Sequence, residues 1–440
     1  MKKYHTAKIL KNITYILVYL YILTIPFLSL EFNFIGLAIG LPELVFFILC
    51  PLAVIRIKFS GEKLSIDGLD LFVFGWLLAN ILSGWHSGFN SIVVIEIIKT
   101  AYLVLLFMIL KWTITPEVIE KIVKVIILSS LIAALTGVIG FGLRYFSIDT
   151  TLSIIRPFPY LIENEIQAKG FTPSPNMLAS IIMIGILFLT QQLFNDKKYN
   201  LFNILLLAIM LIGFLFTISK TIVCLIIGVV LIWYFHSKLK LSYTMQMITK
   251  IVIAGLLTVY ILGTHFIIIK KDQNFELLKG DYIAGPALIE TASYLMFPSQ
   301  YWSLKEISFE AISQSFPWGL GTGKFNDFAH KLKKNGSYPT HVPYPDPHST
   351  YLGILSENGL LGLTILFGII YFVVKHSRKI LNDHSANQPI IACFPIIFIV
   401  IGIEAISTDV MNFRHYWIVL ILLLTSSENF KFLSSKSSNL

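Results

Sequence analysis

His348 heads the side chains in this sequence that could do chemistry. It stands in Tyr344-Pro-Asp-Pro-His348-Ser-Thr-Tyr-Leu-Gly-Ile-Leu-Ser-Glu357-Asn-Gly, where prolines deliver an imidazole to the mouth of an apolar run. An imidazole titrates near neutral pH, which suits it to accept a proton from a reacting hydroxyl or to hold that hydroxyl in place. The plain alternative is an interfacial histidine with no part in a reaction. His330, His341 and Asp346 lie nearby in sequence. Their spacing matches no zinc or calcium signature, so no metal is expected.

A second feature is Trp318-Gly-Leu-Gly321-Thr-Gly323-Lys324-Phe325. A Walker loop needs four residues between its glycines and Ser or Thr after the lysine. Here three residues separate Gly319 from Gly323, and Phe325 follows Lys324. The run reads as a tight turn, either bringing backbone N–H groups towards a ligand such as a phosphate or serving as plain structure. Lys220, in the short Ser219-Lys220-Thr221 hairpin, is an isolated cation between two apolar segments. Arg144, Arg156, Lys169 and Arg414 lie on the same side beside other segment ends. Together these cations could converge on an anionic group, or each could simply snorkel to the interface. Glu96 and Lys99 are placed to neutralise each other on one helical face. For Glu357 and Glu404 the expected role is structural pairing, for example of Glu404 with Arg414.

The elements that must position these groups are membrane-spanning helices. The chain has 440 residues, 55% of them apolar and 13% charged, with a mean hydropathy of +0.76. Average soluble proteins are about 45–50% apolar and about 25% charged. Most segments are apolar over roughly 18–25 residues, enough to cross about 30 Å of hydrocarbon. An all-α polytopic membrane protein of about twelve helices follows. A disordered chain, a nucleic-acid module and a soluble enzyme with one anchor are excluded. The expected spans are 12–30, 34–54, 68–86, 91–110, 122–143, 177–194, 201–218, 220–236, 251–269, 350–374, 389–407 and 415–427. The first of these lacks the features of a cleavable signal. Lys and Arg of the short connections gather on the side of the N-terminus, which places both termini in the cytoplasm. The net charge of +9 reports that topology, and no nucleic-acid partner is implied. Cys50, Cys224 and Cys393 lie in separate apolar runs and read as small apolar fillers.

Two outer connections are too long to be turns. One is 144–176. The other, 270–349, holds eight lysines and eight acidic residues. It also carries two amphipathic patterns: Leu304, Ile307, Ala311 and Ile312 share one helical face, and Phe325, Phe328, Ala329 and Leu332 share another. The chain therefore divides into a bundle over 1–269 of about nine helices, the outer loop 270–349, and a last group of helices with a short tail over 350–440.

Pro317-Trp-Gly-Leu-Gly-Thr-Gly-Lys-Phe325, followed by Pro347-His-Ser-Thr-Tyr-Leu-Gly-Ile-Leu-Ser-Glu-Asn-Gly-Leu-Leu-Gly362, resembles the signature of the O-antigen ligase and polysaccharide polymerase family. Lys169-Gly-Phe-Thr-Pro-Ser-Pro-Asn176-Met-Leu-Ala179 is similar to that family's Gly-Phe…Pro-Asn segment. Ser219-Lys220 stands where members commonly have Ser-Arg. The likeness covers about 169–417. It implies a helical, GT-C-like glycosyltransferase needing neither metal nor cofactor. Such an enzyme moves a glycan from an undecaprenyl-pyrophosphate carrier to a glycan or lipid A–core hydroxyl, on the periplasmic face of a bacterial inner membrane. By position, the resemblance implies that His348 is catalytic, that Glu357 orients, and that Lys220 binds pyrophosphate. Arg144, Arg156, Lys169, Lys324, Arg414, Asn176, Gly321 and Gly323 are further candidates for the substrate. Gln300 takes the place of an arginine common in members, so Lys305 or Lys324 substitutes or the donor is held differently. Polymerisation of repeat units is the sister reaction. A transporter or flippase of a lipid-linked or anionic solute is the alternative from another class.

Overall fold

A computed structural model of the protein describes residues 2–34, 37–60, 66–158, 162–195, 200–237, 242–271, 285–338, 346–382 and 390–437. Its long helices are α1 (Lys2–Thr24), α2 (Leu41–Ser60), α3 (Gly68–Ser87), α4 (Ser91–Thr113), α5 (Ile119–Tyr145), α6 (Pro175–Asn195) and α7 (Leu201–Leu215). They continue as α8 (Thr221–Ser237) and α9 (Tyr243–His265), then α12 (Thr350–Asn382), α13 (Cys393–Glu404) and α14 (Arg414–Ser437). Two further helices, α10 (Gln300–Ser315) and α11 (Phe325–Lys334), lie between α9 and α12. Each of the twelve expected segments overlaps one of the long helices. Seven helices among the described residues are long and apolar enough to cross a membrane, and α7, α8 and α13 are shorter apolar ones. The chain is a membrane protein. In hydrocarbon only a helix satisfies every backbone group within one segment, so apolar sequence of this length becomes helix.

Short strands, which the sequence reading did not include, accompany the helices. β1 (Glu31–Phe34) and β2 (Leu37–Gly40) form an antiparallel hairpin over the start of the expected second span. The helix itself begins at Leu41, one residue before Pro42, whose missing N–H and fixed φ suit a helix start. β3 (Ser153–Phe158) and β4 (Ile162–Ala168) form a second hairpin inside 144–176. β5 (Phe266–Lys270) pairs with β7 (Tyr294–Pro298), which also pairs with β6 (Ile289–Glu290). Phe266-Ile-Ile-Ile is bulky and β-branched, so the chain leaving α9 turns to strand where a longer span was expected.

α6 runs through the middle of the bundle, buried on all sides from Leu178 to Gln191. It is apolar all round, as a central helix must be. Close helix approach uses small residues: a Cβ at Gly213 of α7 would meet the Ala134 carbonyl oxygen of α5 at 2.7 Å. The two amphipathic patterns in the long loop fold as expected. Leu304 and Ile307 of α10 pack against Phe325, Ala329 and Leu332 of α11 as a small separate core. α12 is broken at Gly359, whose φ of 62° and ψ of −156° belong to a region open almost only to glycine.

Candidate functional site

The break at Gly359 is where the glycine-rich turn docks. Leu360 N–H donates to the Pro317 carbonyl (2.8 Å), Leu320 N–H to that of Ser356 (2.8 Å), and Gly321 N–H to that of Glu357 (3.0 Å). The Glu357 carboxylate then accepts N–H groups from Gly323 and Phe325, both at 3.1 Å. The turn's N–H groups at Gly321 and Gly323 are thus spent on Glu357, not turned towards a phosphate. Glu357 is a staple between the turn and α12. Lys324 reaches Asp327 at 3.8 Å.

A strap of Asp346, Pro347, His348 and Ser349 enters α12 beside this turn. Asp346 Oδ1 accepts the His348 N–H (2.6 Å) and lies 3.3 Å from His348 Nδ1. The Thr350 N–H donates to the Ala405 carbonyl at 3.0 Å, and its hydroxyl to that of Thr408 at 3.0 Å. Lys305 of α10, only 6% exposed, donates to the carbonyls of Pro347 (3.1 Å) and His348 (2.5 Å). His348 adopts a φ of 43°, the left-handed region that side chains avoid.

The imidazole packs edge-on against Tyr301, ring centroids 5.2 Å apart. The Lys220 ammonium sits 3.4 Å from the centroid of the same ring. Tyr301 therefore lies between the histidine and the lysine that sequence reasoning proposed to bring together. Among the described residues, Lys220 Nζ is buried without a hydrogen-bond partner. Burial, then the neighbouring Lys305 charge, push its pKa well below the ordinary lysine value. Burial likewise brings Lys305 down to about 7, partly opposed by Asp346.

The Ser219-Lys220-Thr221 hairpin is built from below by polar groups. Ser219 Oγ donates to Asn176 Oδ1 (2.9 Å) and shares a hydrogen bond with Thr221 Oγ1 (2.8 Å). Glu404 accepts from Thr221 (3.3 Å) and Ser180 (2.5 Å), and also from Tyr416. Ile218, just before the hairpin, has a φ of 47°. Of the three non-glycine residues with positive φ among the described residues, Ile218 and His348 both belong to this site. Backbone strain persists where surroundings over-determine it.

Lys220, Asn176, Gln300 and Tyr301 line a cavity of about 710 Å³ whose other walls include Phe214, Leu215, Ile222 and Ile267. It is an apolar groove with one cation at its head. On the far side of the strap, a polar cavity of about 330 Å³ is lined by Glu96, Asp346, Glu357 and Asp409. Burial, with the nearby Asp346 charge, raises Asp409 to about 6.

Among the described residues, Arg414, Arg144 and Lys169 do not line the groove. Arg414 was expected to meet Glu404; it pairs instead with Glu43, at 2.5 Å, because Glu404 is already held by three hydroxyls. Arg144 is bound to Asp149 at 2.5 Å and to the Thr150 carbonyl. Lys169 sits in the turn after β4 and does not line the cavity. Arg156 lies on β3 opposite Glu165, but its side chain falls outside the described residues, as does His341. Glu96 and Lys99 pair as expected, at 2.8 Å.

Residues 204–367, from α7 into α12, match the family model described as O-antigen ligase. Over these residues the chain is similar to that family. Members of that family are glycosyltransferase-like ligases and polymerases. The matched stretch contains Lys220, Tyr301, Lys305, His348 and Glu357, but not Asn176 or Glu404. No curated protein matches the chain. Tyr301 was missed in the sequence because nothing separates it from an ordinary interfacial aromatic. The Asp346–His348 contact was legible: an aspartate two residues ahead of an N–H is a local turn pattern.

Proposed function

We propose that this protein transfers a glycan from a polyprenyl-pyrophosphate carrier, undecaprenyl pyrophosphate in bacteria, to a sugar hydroxyl at the outer face of the inner membrane. Lipid A–core is the acceptor in the ligase form of the reaction. The observation that carries this reading is the unpartnered Lys220 ammonium at the head of an apolar groove, one aromatic ring away from His348. An insoluble polyprenyl chain needs apolar walls, and its pyrophosphate needs a cation.

Breaking the sugar–phosphate bond leaves negative charge on the pyrophosphate. A cation already desolvated and fixed stabilises that charge more than bulk water does. His348, backed by Asp346 at 3.3 Å, accepts the proton of the attacking hydroxyl as the new glycosidic bond forms. The carrier linkage is already activated, so the residues need only position, polarise and move one proton. Glu357 acts through the turn it staples, which sets the wall of the strap.

His348→Ala and Lys220→Ala test the reading. Each is expected to lower surface glycan transfer by about 10²–10⁴-fold while the protein stays at normal abundance in the membrane and carrier-linked glycan accumulates. Full transfer in both variants would sink the assignment. Accumulated polymer on the carrier favours ligation, and accumulated single repeats favour polymerisation.

A further inference from the structure

The Pro347 and His348 carbonyls stand just before α12, and both accept from Lys305. Ser349 caps the helix, with the Gly353 N–H on the Ser349 carbonyl at 2.8 Å, so Pro347 and His348 point their oxygens elsewhere. Proline at 347 offers no N–H, and the His348 N–H is taken by Asp346. From the α10 side the strap is held by the ammonium of Lys305, on the buried face of that helix between Leu304 and Ile307. An apolar residue would suit that face better on packing grounds, and burying a lysine among apolar groups is costly.

We propose that Lys305 is a positioning residue for this site: it clamps the Pro347 and His348 carbonyls and thereby fixes the imidazole against Tyr301, beside Lys220. The inference rests on the reading of this groove as the transfer site. Lys305 does not need to touch the substrate. It keeps His348 in a backbone conformation the residue would otherwise leave.

The clamp responds to protons. Lys220 from the α7–α8 hairpin, His265 from the end of α9, Asp346 and His348 from the strap, and Tyr301 from α10 surround it. Among the described residues, Asp346 favours the ammonium, against the cost of burial. Its proton is held with a pKa of about 7. Raising the pH through that value removes the charge that holds two carbonyls, and the histidine loses its seat.

The experiment uses right-side-out membrane vesicles containing the full-length protein and the cell's own lipid-linked glycan. Transfer per folded molecule is followed against pH and donor level for wild type, Lys305→Met and Lys305→Arg. Wild-type transfer is expected to fall as pH rises through about 7. Lys305→Arg keeps its rate there, because a guanidinium stays charged. Lys305→Met loses about 10²-fold in kcat with donor KM unchanged, the scale of a small misplacement of a reacting group. A wild-type rate in Lys305→Met overturns the proposal. So does a raised KM at unchanged kcat, which would mean that Lys305 contacts the donor, or a wild-type falling limb in Lys305→Arg. His348→Ala and Lys220→Ala separate the two levels: if they transfer normally the site reading fails, and if they do not, an unaffected Lys305→Met removes the clamp alone.

Discussion

Two sets of cations occupy the same end of the bundle and are treated oppositely. At the rim, Arg144 is matched by Asp149 and Arg414 by Glu43, each at 2.5 Å. In the groove, Lys220 and Lys305 make no salt bridge among the described residues, and they meet an aromatic face and two carbonyls instead. A buried charge with its carboxylate is satisfied and structural. A buried charge without a carboxylate is costly, which makes Lys220 a candidate to meet an anion, while Lys305 is held by the Pro347 and His348 carbonyls.

Substitutions can break that contrast, the strongest first. Lys220→Met should lose transfer by about 10² or more and yet melt at a higher temperature, since it removes an unpaired charge from an apolar wall. Lower thermal stability in that variant, with transfer intact, would place Lys220 with the rim. Arg414→Ala should do the reverse. It strips Glu43 of a charged partner, leaving it the Gly40 N–H at 2.9 Å, and should cost about 1.5–3 kcal/mol in thermal melts, with transfer per folded molecule retained. Arg144→Ala should shift stability by no more than about 1 kcal/mol, because Asp149 is 92% exposed and its pair is screened by water.

Proton linkage sharpens the same comparison. Lys305 has a folded pKa of about 7, below its unfolded value near 10.5. Between those limits the unfolded chain binds more protons, so this group makes stability rise with pH. Transfer, in contrast, falls as pH rises through about 7. Opposite slopes for melting temperature and rate are the expected result; parallel slopes would remove Lys305 from the site.

Much of this molecule was legible as sequence. Apolar length placed all twelve long helices, because hydrocarbon leaves a chain few options. The i, i+3, i+4 patterns placed α10 and α11. Strands β1 to β7 were missed, since short β-branched runs beside membrane helices look like continuations of them. Within the site, His348, Lys220 and the glycine turn stood out by residue type and position. The rim arginines looked equally good, since nothing along the chain tells that Glu43 lies beside Arg414, 371 residues away.

Residue type and spacing determined the membrane architecture, the lone lysine in its hairpin and the histidine at the mouth of α12, because these follow from local chemistry and the thickness of a bilayer. Only the tertiary structure decided which cations keep their charge available. That depends on which carboxylate each one meets, and such meetings join segments hundreds of residues apart. Tyr301 and Lys305 acquire their roles in the same way, through the packing of α10 against the strap and the α7–α8 hairpin.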